Sequence, residues 1–318
     1  MGKLVNGTWQ DVWYDTEETD GHFVRNDSTF RNWVTPDGSP GPTGESGFEA
    51  ETGRYHLYVS YACPWANRTL ALRALKGLEE MISISVVNPI MRENGWTFEP
   101  FEGVIKDPIL DADYLHQVYT HVEPQMTGRV TVPILYDKKK DTIVSNESSD
   151  IIRMLNSAFD DIGALEGDYS PQDLMDEIDE INELTYDKIN NGVYKAGFAT
   201  KQDVYEQEVQ GVFDALEKID QILEDQDYLV GNRFTEADIR LFMTLIRFEH
   251  VYYGHFKCNL KHLSNYENVW EYTKRIYNHP KIKPTINFDH IQIHYYKSHD
   301  TINPNQIVPY GPDIDWSI

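Results

Sequence analysis

In the first half of the chain, two stretches with alternating side chains or many β-branched residues lie on either side of one stretch of helix-forming residues. Residues 54–60 and residues 82–87 are rich in β-forming side chains, and both predict strands. The Ala-, Leu- and Arg-rich stretch from Pro64 to Leu75 predicts a helix with proline in its first turn. This strand–helix–strand order predicts a parallel βαβ unit.

Two further strands and a helix are expected after a long insertion. Residues 88–128 contain several prolines and no clear periodicity, so we expect them to be irregular. Residues 131–136 and 142–144 flank a turn and predict a hairpin, and the polar residues 145–150 predict the cap of a helix. The complete order is that of a thioredoxin-like domain.

Apolar residues recur at helical spacing in the second half. Residues 174–189 and 209–223 follow this spacing, and Thr235 with Asp238 predicts the capping box of a buried helix. Around Ile293 we expect the chain to leave helix and to enter a Pro-rich tail.

The pattern therefore predicts an α/β plus all-α protein, with a thioredoxin-like N-terminal domain and an all-helical C-terminal domain. We expect four parts: an ordered, aromatic-rich extension (1–50), a thioredoxin-like domain (51–160) with the insertion 88–128, a helical domain (161–290) and a C-terminal segment (291–318).

Composition and charge narrow the possible functions. The formal charge of −24, from 28 Lys and Arg against 52 Asp and Glu, argues against nucleic acid and anionic membranes as partners. A small anionic substrate stays possible, because the local field of a site can oppose the net charge. The sequence shows no run of 18 apolar residues, no signal-peptide pattern and no metal-ligand spacing. Two cysteines are too few for a disulfide framework in a chain of this size, so we expect a reducing compartment, the cytoplasm.

Cys63 is the strongest candidate for a catalytic residue. It directly precedes a predicted helix, whose N–H groups and dipole stabilise a thiolate. Ala66 stands where a dithiol oxidoreductase carries its second cysteine, so a mixed disulfide at Cys63 needs an external thiol for its release. This indicates a small thiol co-substrate such as glutathione. The alternative is an inert buried cysteine.

Two other positions fit a thiol-binding site. Pro133 precedes a predicted strand, where thioredoxin-like folds carry a cis proline that presents the backbone of the preceding residue, here Val132; an ordinary edge-strand proline is the alternative. Glu147 and Ser148 open a helix. Ser148 can serve the carboxylate of a γ-glutamyl group and Glu147 its ammonium, and plain N-capping, at about 1 kcal/mol, is compatible with both.

Four tyrosines in the helical half or at its end are further candidates. A tyrosine can stack on an apolar ring and can transfer a proton, although most buried tyrosines only pack. The four are Tyr194, Tyr252, Tyr295 and Tyr296.

A series of short stretches carries a resemblance to a known family. In chain order they are residues 31–35, 55–60, Cys63-Pro64-Trp65-Ala66, 94–98, 128–133, 145–148, 254–259, 294–296 and 302–304. Together they cover nearly the whole chain, which resembles the glutathionyl-hydroquinone reductases, the Xi class of glutathione transferases. Asn67 departs from the family pattern, which has His there, and we expect it to alter helix contacts without removing the nucleophile.

The resemblance implies an activity: S-glutathionyl-hydroquinones are reduced by glutathione to hydroquinones, with release of glutathione disulfide. Cys63 would form a mixed disulfide with the glutathionyl group, Tyr194 would protonate the departing ring, and a second glutathione would regenerate the enzyme. The glutathione contacts implied by the likeness are Trp96, Arg129, Val130, Thr131, Val132, Glu147 and Ser148.

The resemblance also places tyrosines beside the quinone. Tyr252 and one of the adjacent pair Tyr295 and Tyr296 match tyrosines whose hydroxyls can stabilise the thiolate, so segment 291–318 would contribute to the site. A homodimer without a tightly bound cofactor is expected.

Two other functions stay open. An omega-like thioltransferase or dehydroascorbate reductase would share Cys63 and the fold, but the insertion and the C-terminal tyrosines favour the hydroquinone reaction. A non-catalytic interaction module of transferase fold needs no nucleophile, and the intact Cys63-Pro64-Trp65 sequence argues against it. Another small thiol in place of glutathione is also open.

Overall fold

The computed structural model describes residues 2–318, which divide into two compact units. Each unit is assembled from three stretches of the chain. The first comprises Met1–Trp13 (described from residue 2), Asn26–Gly167 and Thr285–Ser298; the second comprises Tyr14–Arg25, Asp168–Pro284 and His299–Ile318.

Up to Gly167, the described part of the first unit contains two sheets and three α-helices. The strands are β1 (Lys3–Val5), β2 (Thr8–Gln10), β3 (Tyr55–Val59), β4 (Ile82–Val86), β5 (Gly128–Arg129), β6 (Ile134–Asp137) and β7 (Thr142–Ser145). The helices are α1 (Pro64–Leu75), α2 (Leu115–Val122) and α3 (Ser148–Ser157).

The larger sheet is the thioredoxin-like core that the sequence predicts. Its strand order is β4-β3-β6-β7, with β3 parallel to β4 and antiparallel to β6. Leu57 pairs with Ile84 on one side and with Leu135 on the other. Every residue of β3 is buried, as expected for a central strand with both faces covered. Helix α1 connects β3 to β4, which confirms the predicted βαβ unit.

A second, three-stranded sheet of order β2-β1-β5 was not predicted. Strands β1 and β2 form a hairpin around Asn6 and Gly7, both of which have positive φ. A two-residue Asn-Gly loop with this conformation is the typical type I′ hairpin turn. That dipeptide is the sequence signal for the hairpin.

The prediction that residues 88–128 are irregular is wrong at α2. This eight-residue helix is capped by the side chain of Gln117, whose oxygen accepts the backbone N–H groups of Asp113 and Tyr114, each at 2.9 Å. A short helix that starts at a tyrosine carries few of the usual N-terminal signals.

The second unit is helical, as predicted. Its helices are α4 (Met175–Thr185), α5 (Gly192–Gly197), α6 (Gln202–Ile222), α7 (Glu236–Arg247) and α8 (Glu267–Tyr277), and π-helical turns cover Tyr186–Asn190 and Phe248–Tyr252. The predicted capping box is confirmed: the Asp238 carboxylate accepts the backbone N–H of Thr235 at 2.7 Å at the start of α7.

Helix α9 (Phe288–Ser298) returns the chain to the first unit and corrects the prediction that helix ends near Ile293. The Asn287 side chain accepts the backbone N–H of His290 at 2.9 Å at the start of this helix. Its aromatic and β-branched residues have modest helix propensity, which tertiary packing overrides. No helix within residues 2–318 has the length and apolar character needed to cross a membrane.

Candidate functional site

Cys63 occupies the N-cap position of α1. Its backbone is extended (φ −76°, ψ 118°), Pro64 follows in the first turn, and the Cys63 carbonyl accepts the N–H of Asn67 at 2.9 Å. The side chain is partly exposed and forms no disulfide with the buried Cys258. The thiol is therefore accessible at the positive end of a twelve-residue helix, where a thiolate is favoured.

The backbone of Val132 lies opposite this thiol. The Sγ atom of Cys63 is 3.7 Å from the Val132 carbonyl oxygen, and the Val132–Pro133 peptide bond is cis, as predicted. The Tyr119 hydroxyl donates to the Thr131 carbonyl at 2.9 Å, which anchors the segment one residue upstream. The thiol and the backbone that precedes β6 thus lie side by side within the first unit.

The N-terminus of α3 holds a half-buried carboxylate. Glu147 is its N-cap, and its carboxylate accepts the backbone N–H of Ser149 at 3.0 Å and the hydroxyls of Ser149 and Ser28, each at 2.9 Å. Burial raises the pKa of Glu147, but these hydrogen bonds and the charge of Arg68 outweigh it, so the pKa lies below the usual value. The carboxylate is ionised at neutral pH, and the predicted capping role is present.

Helix α1 connects the thiol end of the site to this carboxylate end. Arg68 on α1 is buried, lies over the Trp65 ring at 4.4 Å and has its Nη1 3.4 Å from the hydroxyl of Ser148. Asn67, where the family pattern has His, donates its side-chain amide to the Thr285 carbonyl at 2.9 Å. This departure from the family pattern is thus accommodated by a buried hydrogen bond.

Trp96 and Arg129 each contact other parts of the first unit. The indole of Trp96 is buried and stacks on the imidazole of His294, with centroids 4.7 Å apart. The guanidinium of Arg129 donates to the carbonyls of Val12 and Trp13, the latter at 2.9 Å. Arg129 thereby holds the segment that follows the N-terminal hairpin.

The remaining predicted residues of the first unit differ in exposure. Val130 is buried and Thr131 is partly exposed. On α9, Tyr295 is buried and Tyr296 is partly exposed, and the Tyr295 ring packs edge-on against His294.

Tyr194 and Tyr252 form an aromatic cluster in the second unit. Their ring centroids are 5.9 Å apart, and Phe256 packs against both. The guanidinium of Arg25 lies 4.5 Å from the centroid of the Tyr194 ring. Each tyrosine is at or just after one of the two π-helical turns, which change the direction of neighbouring side chains and often occur at functional sites.

Three supporting residues had no role in the sequence prediction. Ser28 binds Glu147, Arg68 approaches Ser148, and His294 stacks on Trp96. Only His294 lay in a stretch that carried the resemblance. Within residues 2–318, no three His, Cys, Asp or Glu side chains are grouped so as to hold a metal ion.

Comparison with known proteins identifies both halves of the chain. Residues 62–158 match the family model of the glutathione S-transferase N-terminal domain, and residues 202–275 match that of its C-terminal domain. The chain is 56% identical to glutathionyl-hydroquinone reductase YqjG of Escherichia coli, over 99% of this chain and 97% of the relative. It is 53% identical to glutathionyl-hydroquinone reductase PcpF of Sphingobium chlorophenolicum, over 98% of this chain and 96% of that one.

Solved structures agree with the sequence matches. The glutathione-bound structure of YqjG superposes with a TM-score of 0.92 at 53% identity and covers 100% of this chain and 97% of the other. A Xi class glutathione transferase from Natrialba magadii superposes with a TM-score of 0.93 at 46% identity, over 100% and 96% of the two chains.

Proposed function

This chain belongs to the glutathionyl-hydroquinone reductases, the Xi class of the glutathione transferase family, and on that basis we propose how its residues carry out the reaction. The enzyme reduces S-glutathionyl-hydroquinones with glutathione as co-substrate. The products are the hydroquinone and glutathione disulfide.

Cys63 is the nucleophile. Its thiolate attacks the sulfur of the glutathionyl group, an S–S bond forms, and the bond between that sulfur and the ring carbon breaks. The electron pair of the broken bond goes to the ring carbon, which takes up a proton. A second glutathione thiolate then attacks the mixed disulfide and releases glutathione disulfide and the Cys63 thiolate. The ring carbon is reduced and two glutathione sulfurs are oxidised, so the step balances.

The observation that carries this mechanism is the position of the Cys63 thiol, at the N-terminus of α1 and 3.7 Å from the Val132 carbonyl. The helix end favours the thiolate over the thiol. The Val132 backbone, with its neighbours Val130 and Thr131, lies where an extended thiol peptide can pair beside the reacting sulfur. Ala66 supplies no resolving thiol, which supports release by a second glutathione.

The γ-glutamyl end of glutathione binds at α3. The ionised, half-buried carboxylate of Glu147 suits an ammonium group, and the Ser148 hydroxyl and the helix N–H groups suit a carboxylate. Trp96 and Arg129 complete the glutathione contacts that the family pattern implies.

Tyr194 delivers the proton to the departing ring. Tyr252 and one of Tyr295 and Tyr296 line the quinone pocket and stabilise the thiolate by hydrogen bonding. The chemical support is that a phenol can donate a proton and pack against an aromatic substrate through the same side chain. The close packing of Tyr194 with Tyr252 supports a shared function for these two.

Steady-state turnover with glutathionyl-menadiol and glutathione tests the reaction class. Parallel double-reciprocal plots and one glutathione disulfide per hydroquinone support the two-step thiol mechanism. Intersecting plots would indicate a ternary complex and would contradict it.

An omega-like activity is the second candidate, because the chain is 44% identical to glutathione S-transferase omega-like 2 of Schizosaccharomyces pombe. Dehydroascorbate and a mixed disulfide of glutathione with a small thiol, assayed beside glutathionyl-menadiol, separate the two. We expect a kcat/KM at least tenfold higher for glutathionyl-menadiol.

The proposal includes a homodimer that works in the cytoplasm. A reducing compartment keeps Cys63 available as a thiol, which supports this location. Light scattering after gel filtration tests the dimer: twice the chain mass of 36.9 kDa supports it, and a single chain mass contradicts it.

A further inference from the structure

Helix α9 turns three polar side chains toward the loop that carries Trp96. His290, His294 and Ser298 are spaced four residues apart and therefore share one face of the helix. His290 contacts the carbonyl of Glu102 at 2.6 Å, on the C-terminal side of the loop. The other two side chains contact its N-terminal side.

His294 and Ser298 hold the backbone a few residues before Trp96. The Nδ1 atom of His294 is 2.8 Å from the Pro89 carbonyl, and since a carbonyl only accepts, Nδ1 carries the hydrogen. The Ser298 hydroxyl accepts the N–H of Met91 at 3.0 Å and lies 3.4 Å from the same Pro89 carbonyl. The imidazole of His294 is thus fixed in place by the loop itself.

The fixed imidazole in turn supports the indole. The two rings stack with centroids 4.7 Å apart and planes 21° from parallel, and both residues are buried. Backbone hydrogen bonds, from Leu115 to the Trp96 carbonyl and from Asn88 to the Thr97 carbonyl, fix the main chain here but do not themselves set the side-chain torsions of the indole. Stacking on His294 restricts those torsions.

We propose that His294 is a positioning residue for glutathione, which orients the Trp96 indole through their stacked rings. The proposal rests on the proposed function, in which Trp96 contacts glutathione. It assigns helix α9 a role in thiol binding that is separate from any role of its tyrosines.

Glutathione affinity measured by calorimetry in the full-length Cys63→Ser protein tests this role, because no covalent step obscures binding there. His294→Ala should weaken binding about fivefold, the effect of losing an aromatic pair of roughly 1 kcal/mol. His294→Phe keeps a stacking ring and should stay within about twofold of the parent. His294→Gln keeps a donor for Pro89 but has no ring, and should resemble alanine.

His290→Ala is the matched control. His290 is equally buried on the same helix face, but its ring packs against Tyr61 and Phe101 instead of Trp96. We expect this variant to bind glutathione like the parent, even where its melting temperature falls. Equal loss of affinity in His290→Ala and His294→Ala would mean that α9 acts only through stability, and would overturn the proposal.

A double-mutant cycle with Trp96→Ala measures whether His294 affects glutathione affinity through Trp96. If His294 acts through Trp96, His294→Ala causes no further loss of affinity once the indole is absent. Additive losses would overturn the positioning role. Normal binding by the parent and by His294→Ala alike would overturn that role alone, whereas no binding by the parent would overturn the proposed function and the role of His294 with it.

Discussion

The thiol of Cys63 and the carbonyl oxygen of Val132 lie 3.7 Å apart, although 69 residues separate them along the chain. The βαβ unit places Cys63 at the start of α1, and the antiparallel pairing of β3 with β6 brings the segment around Val132 alongside. The core sheet therefore brings together the proposed nucleophile and the backbone that we propose to pair with its thiol substrate.

The two cysteines should differ sharply in reactivity. Cys63 is partly exposed at a helix N-terminus, so iodoacetamide should alkylate it with a half-maximal rate at a pH well below the ordinary thiol pKa of about 8.5. Cys258 is buried, and burial raises the pKa of its thiol, so it should not react in the folded protein. Peptide mapping after labelling across a pH series measures both; labelling of Cys63 only above pH 8.5 would contradict thiolate activation.

Ser28→Ala should weaken glutathione binding, most strongly on the acid side. The Ser28 hydroxyl is one of the hydrogen bonds that hold the pKa of Glu147 below its usual value. Without it that pKa rises, so the carboxylate becomes protonated, and affinity is lost, at a higher pH than in the wild type. We expect about a fivefold loss at neutral pH, equivalent to a hydrogen bond of roughly 1 kcal/mol.

The matched variant is Ser39→Ala, in the same N-terminal region. The backbone N–H of Ser39 donates to Asp37, and its side chain is not part of the Glu147 hydrogen bonds. Calorimetric titrations at several pH values should show a displaced acid limb for Ser28→Ala and a wild-type profile for Ser39→Ala. Identical profiles for all three proteins would remove Ser28 from the site.

The same contacts predict a pH dependence of stability. A carboxyl group whose pKa is lowered by folding stabilises the protein above its unfolded-state pKa, and this contribution is lost as the pH falls through the folded value. Ser28→Ala should therefore cost stability at neutral pH and much less in acid, where Glu147 is protonated in both proteins. Urea unfolding over a pH series from 7 downward measures the difference; a stability gap between the two proteins that stays constant as the pH falls would contradict it.

Tyr194→Phe should slow the chemical step with little effect on glutathione affinity. Phenylalanine keeps the ring under Arg25 and against Tyr252 but cannot donate a proton. Loss of a general acid typically costs about 100-fold or more in kcat. Tyr205→Phe, which removes a hydroxyl bonded to the Lys257 carbonyl, should leave kcat unchanged. A rise in KM alone would remove the proton-donor role of Tyr194.

The parts of the fold that the sequence predicted are those specified locally. Alternation in residues 54–60, the helix-forming stretch after Pro64 and the box of Thr235 and Asp238 each carry their signal within a few residues. Helix α2 lacks a standard capping residue, and α9 is rich in residues of modest helix propensity, so both depend on packing.

The supporting contacts of the site could not be predicted from local sequence patterns, for a different reason. Ser28 meets Glu147 across 119 positions, and His294 meets Pro89 across 205. No periodicity or short motif encodes such pairs, because each exists only when two distant elements have packed. The position of Cys63 at a helix N-terminus, by contrast, was predictable because that helix immediately follows it in the sequence.

A single-turnover experiment shows directly whether Cys63 takes the glutathionyl group from the substrate. The protein is mixed with glutathionyl-menadiol in the absence of free glutathione, and intact mass and released menadiol are measured together. We expect one glutathionyl group per chain, located on Cys63 by peptide mapping, one equivalent of menadiol, and neither product with Cys63→Ala. Menadiol release without an adduct, or release that persists in Cys63→Ala, would contradict this role of Cys63.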